Sequence, residues 1–367
     1  MIEAIAAVTR EANAPFTIEP VSVADPGPGQ VRVRVEAVGI CHTDLVCATG
    51  ALGAVFPIVL GHEGAGTVES VGLGVGKVAP GDKVIMTFAS CGKCGPCHDH
   101  DPAYCASFTT LNFPGVGADG RTSLSQYGKA ISGRYFGQSS FASYAIAEER
   151  NIVKVPAHLD LALLAPLGCS VQTGAGAVMR SLEAKAGSTL IVVGGGAVGL
   201  SAVLGGVLSG CGTIILVEPQ QDRRAVALEI GATHAIDPAA GPLAEAVRGI
   251  APGGANYIVD TTGNVAVLQE AVGLLAQKGK LGMIGVPGAL DAAVQMPIVP
   301  ALTVGYSIQG ICEGDSDPDT YLPELIEYLE AGRLPVEKFI TVYPFDQINE
   351  AIKDAHGSKC VKVVLTF

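Results

Sequence analysis

Several things are scarce in this chain of 367 residues, and each absence removes a class of function. No run of basic residues occurs, and 23 Lys and Arg stand against 35 Asp and Glu for a formal net charge of −12. Nucleic acid and anionic membrane surfaces are therefore poorly matched partners. No stretch approaches 18 uninterrupted apolar residues without glycines or charges nearby, so no membrane-spanning helix is expected. The opening MIEAIAAVTREANAP lacks a basic segment followed by an apolar run and a small-residue cleavage site. A signal peptide is not expected, and the cytoplasm is the expected compartment. Internal repeats and low-complexity segments are also missing.

What is present describes a well-buried α/β protein with many tight turns: 49% apolar residues, 16% charged residues and 48 glycines. The length exceeds what one hydrophobic core usually supports, so two domains are expected. Residues 31–38, VRVRVEAV, alternate apolar and charged in the period of a half-buried strand. Short strands and turns such as PGPGQ and APGDKV continue to about residue 150, predicting a β-rich, barrel-like lobe. From Ser188 the texture changes to STLIVV, GGGAVG, an apolar helical stretch to Gly210, and TIILVE. Strand, glycine turn, helix and strand form the repeating unit of a doubly wound parallel sheet. ANYIVD and KLGMIGV continue it, the pattern leaves this regime near Gly305, and the tail is the strand-like KCVKVVLTF.

Two local motifs carry chemistry. Cys91, Cys94, Cys97 and Cys105 in CGKCGPCHDHDPAYC have spacings that let four thiolates converge on one tetrahedral Zn2+ at about 2.3 Å. The competing reading, two disulfides, belongs to small secreted domains with poor cores. A closed four-thiolate set leaves no position for substrate, so this metal would be structural. The second motif, Gly194, Gly196 and Gly199 with Ala197 and Val198 between them, follows a predicted strand and opens a predicted helix. That placement suits a pyrophosphate at a helix N-terminus. Glu218, at the end of the next strand, is placed to accept hydrogen bonds from the adenosine ribose hydroxyls and to repel a 2′-phosphate. NAD is favoured over NADP, with Arg223 and Arg224 the nearby residues that argue the other way. Cys41 in GICHTD, His62 in GHEGAGTVESVG and Cys169 in PLGCSVQTGAG are scattered. Each alone would more often be a core cysteine or a satisfied histidine.

Taken together, Gly61, His62 and Glu63 with Gly66 and Gly72, the four-cysteine loop, and the Gly194–Gly199 turn with Glu218 resemble the zinc-dependent medium-chain alcohol dehydrogenases over the whole chain. GICHTDLVC, LGCSVQTGAG, FGQSSFASYA and YPFDQIN are most similar to the aryl-alcohol, or benzyl-alcohol, members. The resemblance implies a GroES-like barrel catalytic domain (1–168 and 308–367) enclosing a Rossmann NAD-binding domain (169–307). It implies two Zn2+ per chain, the catalytic one held by Cys41, His62 and Cys169, with Glu63 behind it as an alternate ligand. Thr43 would take the alcohol proton, and Asp44 would hydrogen-bond the imidazole of His62. His42, Thr173, Arg223 and Val286 would join the glycine turn in binding cofactor. The family's relay histidine three residues beyond the hydroxyl is replaced here by Val46, so the relay would end in water or in His42.

The implied reaction is reversible oxidation of a primary aromatic or allylic alcohol to its aldehyde with NAD. The alternatives are a terpene-alcohol dehydrogenase, a thiol-dependent formaldehyde dehydrogenase, and a non-catalytic NAD- and zinc-binding module. The apolar TGALGAVFP beside the expected zinc site argues against a charged thiol carrier. The segment 303–312 resembles the family's subunit contact, implying a homodimer, with a homotetramer as the alternative.

Overall fold

A computed structural model describes residues 1–117, 120–289 and 291–367. The chain divides into two compact units: Met1–Cys169 with Asp317–Ala331 and Phe339–Phe367, and Ser170–Ser316 with Gly332–Lys338.

In the first unit the alternating segment becomes strand Gln30–Gly39, with Val31, Val33 and Val35 buried and Arg34 exposed. Arg32 is also buried, and its guanidinium is matched by Glu69 at 2.7 Å and Asp25 at 2.9 Å, as a buried charge requires. The strand pairs antiparallel with Glu63–Val71 and with Lys362–Thr366, setting Gly39 opposite both Glu63 and Val364. This register brings residues from the start, the first third and the far end of the sequence to one place. The sheet runs Ile152–Lys154, Lys83–Met86, Glu63–Val71, Gln30–Gly39, Lys362–Thr366, Ile340–Pro344, and Tyr144–Glu148 also pairs with Gln30–Gly39. A five-stranded sheet of Ile58–Val59, Ile2–Thr9, Thr17–Val23, Leu124–Gln126 and Lys129–Ile131 completes the β-rich lobe.

The second unit is built on six parallel strands in the spatial order His234–Ile236, Thr213–Val217, Thr189–Val193, Ala255–Asp260, Leu275–Met283, Ser307–Gly310. Counted along this sheet the order is 3-2-1-4-5-6, that of the doubly wound dinucleotide-binding sheet. The central segments TLIVV and TIILV are nearly continuous apolar runs because helices cover both faces of such a sheet. Ile191, Val193, Ile215, Val217, Leu243, Val247, Ile258 and Leu281 form its core, each side chain contributing about 1.5–3 kcal/mol on burial. Strand order reverses between Thr189–Val193 and Ala255–Asp260, where ligands bind to sheets of this kind. Among the described residues no single helix is long and apolar enough to cross a membrane.

Candidate active site and metal centres

Strand Gln30–Gly39 ends two residues before Cys41, which caps helix His42–Ala48. Asp44, fully buried in the first turn of that helix, accepts from the Cys41 backbone N–H at 2.9 Å through Oδ2. Its other oxygen accepts from the Gly61 N–H at 3.1 Å and meets His62 Nδ1 at 2.8 Å. One carboxylate thus ties the two segments together. Gly61 must be glycine, because its φ is +88° and a Cβ there would lie 2.5 Å from the Phe141 nitrogen. Cys169 arrives from another direction, where Gly168 packs against the Met86 carbonyl and its own carbonyl accepts from Thr87 Oγ1 at 2.8 Å.

The outcome is that one ligand atom from each of Cys41, His62, Glu63 and Cys169 lies within 4.8 Å of every other. With Nδ1 committed to Asp44, His62 Nε2 is buried and has no hydrogen-bond partner among the described residues. A buried imidazole nitrogen beside two thiols suits a zinc ion. The hydrogen bond with Cys169, and behind it the positive charge of His62 and Lys362, hold the Cys41 thiol well below its ordinary range despite burial. Burial would lower the His62 pKa, but the Asp44 and Cys41 charges raise it well above the usual value. Thr43 Oγ1 lies 3.6 Å from Cys41 Sγ, and His42 is exposed.

Three contributors were not read from the sequence. Gln138 grips the His62 segment, accepting from Gly64 N at 3.1 Å and donating to the His62 and Thr87 carbonyls at 2.9 and 3.2 Å. Phe136 stacks on the imidazole, ring centroids 4.3 Å apart and planes 23° apart. It does so from a left-handed backbone (φ 50°, ψ 30°) that is strained for a bulky residue. The strain is held locally: Tyr135 N donates to Ser139 Oγ at 2.8 Å, and that hydroxyl donates to Val59 O at 2.7 Å. Phe136 also meets Phe113 and Phe108 edge-on, and Phe108 reaches Phe88. The third is Lys362, 1% exposed in strand Lys362–Thr366, whose Nζ lies 2.5 Å from Glu63 Oε2. A lone lysine in the apolar run CVKVVL is a signal that could have found it.

The four-cysteine loop closes on itself. Each of Cys91, Cys94, Cys97 and Cys105 places its sulfur within 4.8 Å of the others, and none of the ten cysteines is bridged. Backbone amides serve the sulfurs: Cys91 N to Cys105 Sγ at 3.2 Å, Ala106 N to Cys94 Sγ at 3.5 Å, and Ser107 N to Cys105 Sγ at 3.4 Å. The Ala106 and Cys97 amides lower the Cys94 thiol to about 6, while burial pushes Cys105 up to about 12. Four sulfurs with amide donors around them match the donor set of a structural zinc.

In the second unit the glycine turn joins strand Thr189–Val193 to helix Ala197–Leu208. Gly194 has φ +95°, and a Cβ on Gly199 would fall 1.8 Å from the Gly194 carbonyl oxygen. Ala197 and Val198 form the first turn, whose amides have no intrahelical acceptors. Glu218, nearly buried, accepts from Gly195 N at 2.6 Å and from Gln220 N at 2.8 Å. Arg224 is occupied by the Glu218 and Pro219 carbonyls and by Asp237 at 3.2 Å. Arg223 has a buried Nε without a hydrogen-bond partner among the described residues. Thr173 Oγ1 donates to Glu313 Oε2 at 3.3 Å, and Val286 is exposed beside Gly263. The turn, its helix and Glu218 fit a dinucleotide.

Residues 27–157 match the alcohol dehydrogenase GroES-like domain, and residues 197–331 match the zinc-binding dehydrogenase domain. The whole chain is 45% identical to the geraniol dehydrogenase of Castellaniella defragrans, covering 98% of that protein. An alcohol dehydrogenase zinc-binding domain protein from Burkholderia ambifaria superposes with a TM-score of 0.98 at 43% identity, covering 100% of this chain and 99% of that one. The benzyl alcohol dehydrogenase of Acinetobacter calcoaceticus gives a TM-score of 0.97 at 35% identity, covering 100% of both.

Proposed function

The chain belongs to the zinc-binding medium-chain alcohol dehydrogenase family, and from that premise we propose that it interconverts a primary aromatic or allylic alcohol and its aldehyde using NAD. The observation that carries the reaction is the buried set Cys41, His62 and Cys169 with Asp44 fixing the imidazole. Zinc held there would polarise the alcohol oxygen, while NAD would accept the hydride. The chain's own part is positional. Asp44 accepts a hydrogen bond from Nδ1–H, leaving Nε2 as the imidazole atom that would hold the metal. Thr43, beside Cys41, supplies the hydroxyl that takes the alcohol proton. Cys91, Cys94, Cys97 and Cys105 would hold a second zinc, which would brace the lobe.

For substrate class, the support is the likeness to relatives named for geraniol and for benzyl alcohol. Both of those alcohols carry a π system next to the carbinol carbon. The relatives named for those two alcohols are why a terpene alcohol stays as the second reading. For cofactor, the support is the Glu218 carboxylate together with the engagement of Arg224 elsewhere. Measuring kcat/KM for benzyl alcohol, geraniol and ethanol with NAD and with NADP tests both points. Ethanol as the best substrate would sink the π-alcohol reading, and NADP as the better cofactor would sink the NAD reading.

Assembly as a homodimer completes the proposal. Strand Ser307–Gly310 ends its sheet, and neighbouring helix Ile298–Val304 exposes Ile298, Val299 and Leu302 at 69–77%. Apolar side chains beside an open strand edge suit pairing with a second copy. Light scattering should give twice the 37.3 kDa chain mass, and a monomer would refute it.

A further inference from the structure

Three successive residues of the second unit, Glu313, Gly314 and Asp315, hold left-handed backbone, with φ of 50°, 68° and 50°. Glycine adopts that region freely and aspartate tolerates it, but a glutamate there is strained. Strain of this kind persists where the surrounding structure over-determines it, and it gathers at binding sites. Here the surroundings are tight. A Cβ on Gly314 would fall 2.4 Å from the Gln172 carbonyl oxygen, and one on Gly176 would fall 2.5 Å from the Gly314 carbonyl oxygen. Arg180 Nε donates to the Asp315 carbonyl at 3.3 Å and pins the far end of the turn. The turn is thereby locked against helix Ser170–Gly176, where Thr173 Oγ1 donates to Glu313 Oε2 at 3.3 Å.

Sheet register places this carboxylate. Val193, Asp260, Met283 and Gly310 stand in one row across the carboxyl ends of four parallel strands. The glycine turn begins immediately after Val193. Glu313 lies three residues after Gly310, and between them Ile311 N donates to the Met283 carbonyl at 2.9 Å. A dinucleotide lies across these ends in a doubly wound sheet, one nucleotide on each half. Glu218 follows strand Thr213–Val217, in the half expected to take the adenosine, so Glu313 falls in the half left for the nicotinamide. Negative charge in this corner registers on a neighbour. Burial first, and then the charges of Glu313 and Asp315, push the Cys312 thiol above its ordinary range.

Charge is what changes when the cofactor is reduced, because the oxidised nicotinamide ring is positive and the reduced ring is neutral. A nearby carboxylate attracts only the first. We propose that Glu313 is a specificity-determining residue for the redox state of the cofactor, its carboxylate, anchored by Thr173, favouring the oxidised nicotinamide over the reduced one. This rests on the reading of the second unit as an NAD site. Unequal binding of the two forms shifts the bound equilibrium by the same factor, so the carboxylate biases the chain toward carbonyl reduction.

The test is equilibrium binding by the full chain. It has no tryptophan, so bound NADH is followed by its own emission and NAD by its competition with NADH. Glu313→Gln should raise Kd for NAD by about tenfold and leave Kd for NADH within about twofold, as a unit charge acting over several ångströms of partly screened protein requires. Equal weakening of both forms would make the residue a support for the turn and overturn the proposal. An unchanged ratio of the two constants would overturn it as well. Should Glu313→Gln fail to fold, Glu313→Gly removes the same carboxylate while relieving the backbone, and the same two outcomes apply to it. If wild type binds neither NADH nor NAD, the NAD reading fails first, and the proposal with it.

Discussion

The two thiol-bearing sites of the first unit are assembled on opposite plans. The loop Cys91–Cys105 takes four donors from fifteen consecutive residues and satisfies their sulfurs with its own amides. The set Cys41, His62 and Cys169 takes three donors from separate segments and depends on Asp44, Gln138, Phe136 and Lys362 to hold them. A compact loop can define its metal geometry before the rest of the lobe is in place. A dispersed site exists only once sheet register is set, which would leave a metal held there to be tuned by residues that never touch it.

The sharpest way to break this comparison is Cys41→Ala. Turnover should fall about a thousandfold or more, as loss of several kcal/mol of transition-state stabilisation requires. Elemental analysis should show zinc dropping from two per chain to one, with the thermal midpoint nearly unchanged. Cys97→Ser attacks the other plan and should lower the midpoint by about 10 °C. Benzyl alcohol turnover of the folded fraction should survive, and its disappearance would show that the loop does more than brace. Asp44→Asn probes the dispersed site's dependence on its supports. Metal affinity there should fall by about 10–100-fold, measured by competition with a chelator, while the loop metal stays put. Smallest is Phe136→Ala, which removes the ring stacked on His62 and should lower kcat/KM for benzyl alcohol by roughly 3–10-fold.

Legibility followed the same division. The four-cysteine loop, the Gly194–Gly199 turn and Glu218 lie in local patterns, and the structure gathers the four sulfurs within 4.8 Å and bonds Glu218 to Gly195 N. The parallel sheet was visible because TLIVV and TIILV are buried on both faces and so read as apolar throughout. The β-rich lobe was visible in VRVRVEAV, although alternation alone predicts an exposed Arg32 and misses that Asp25 and Glu69 allow it inside. Cys41, His62 and Cys169 came from family resemblance, since nothing in their own spacing joins them. Gln138, Phe136 and Lys362 went unassigned because their roles are relations between distant strands. A side chain's partner across a sheet is fixed by register, and register has no short-range signature.

The Lys362 to Ile40 contact spans 322 positions of sequence, and strand Lys362–Thr366 sits between Gln30–Gly39 and Ile340–Pro344 rather than at a sheet edge. During synthesis, the parallel-sheet unit can therefore finish folding while the lobe that begins at Met1 still lacks an interior strand. Closing so long a loop is slow. In the interval the Glu63 carboxylate would be without its lysine, and the strand edge at Ala37–Gly39 would be available to other chains. The chain's assembly should thus be gated by arrival of its late strand, making that segment a point of vulnerability in biogenesis as well as a neighbour of the proposed metal centre.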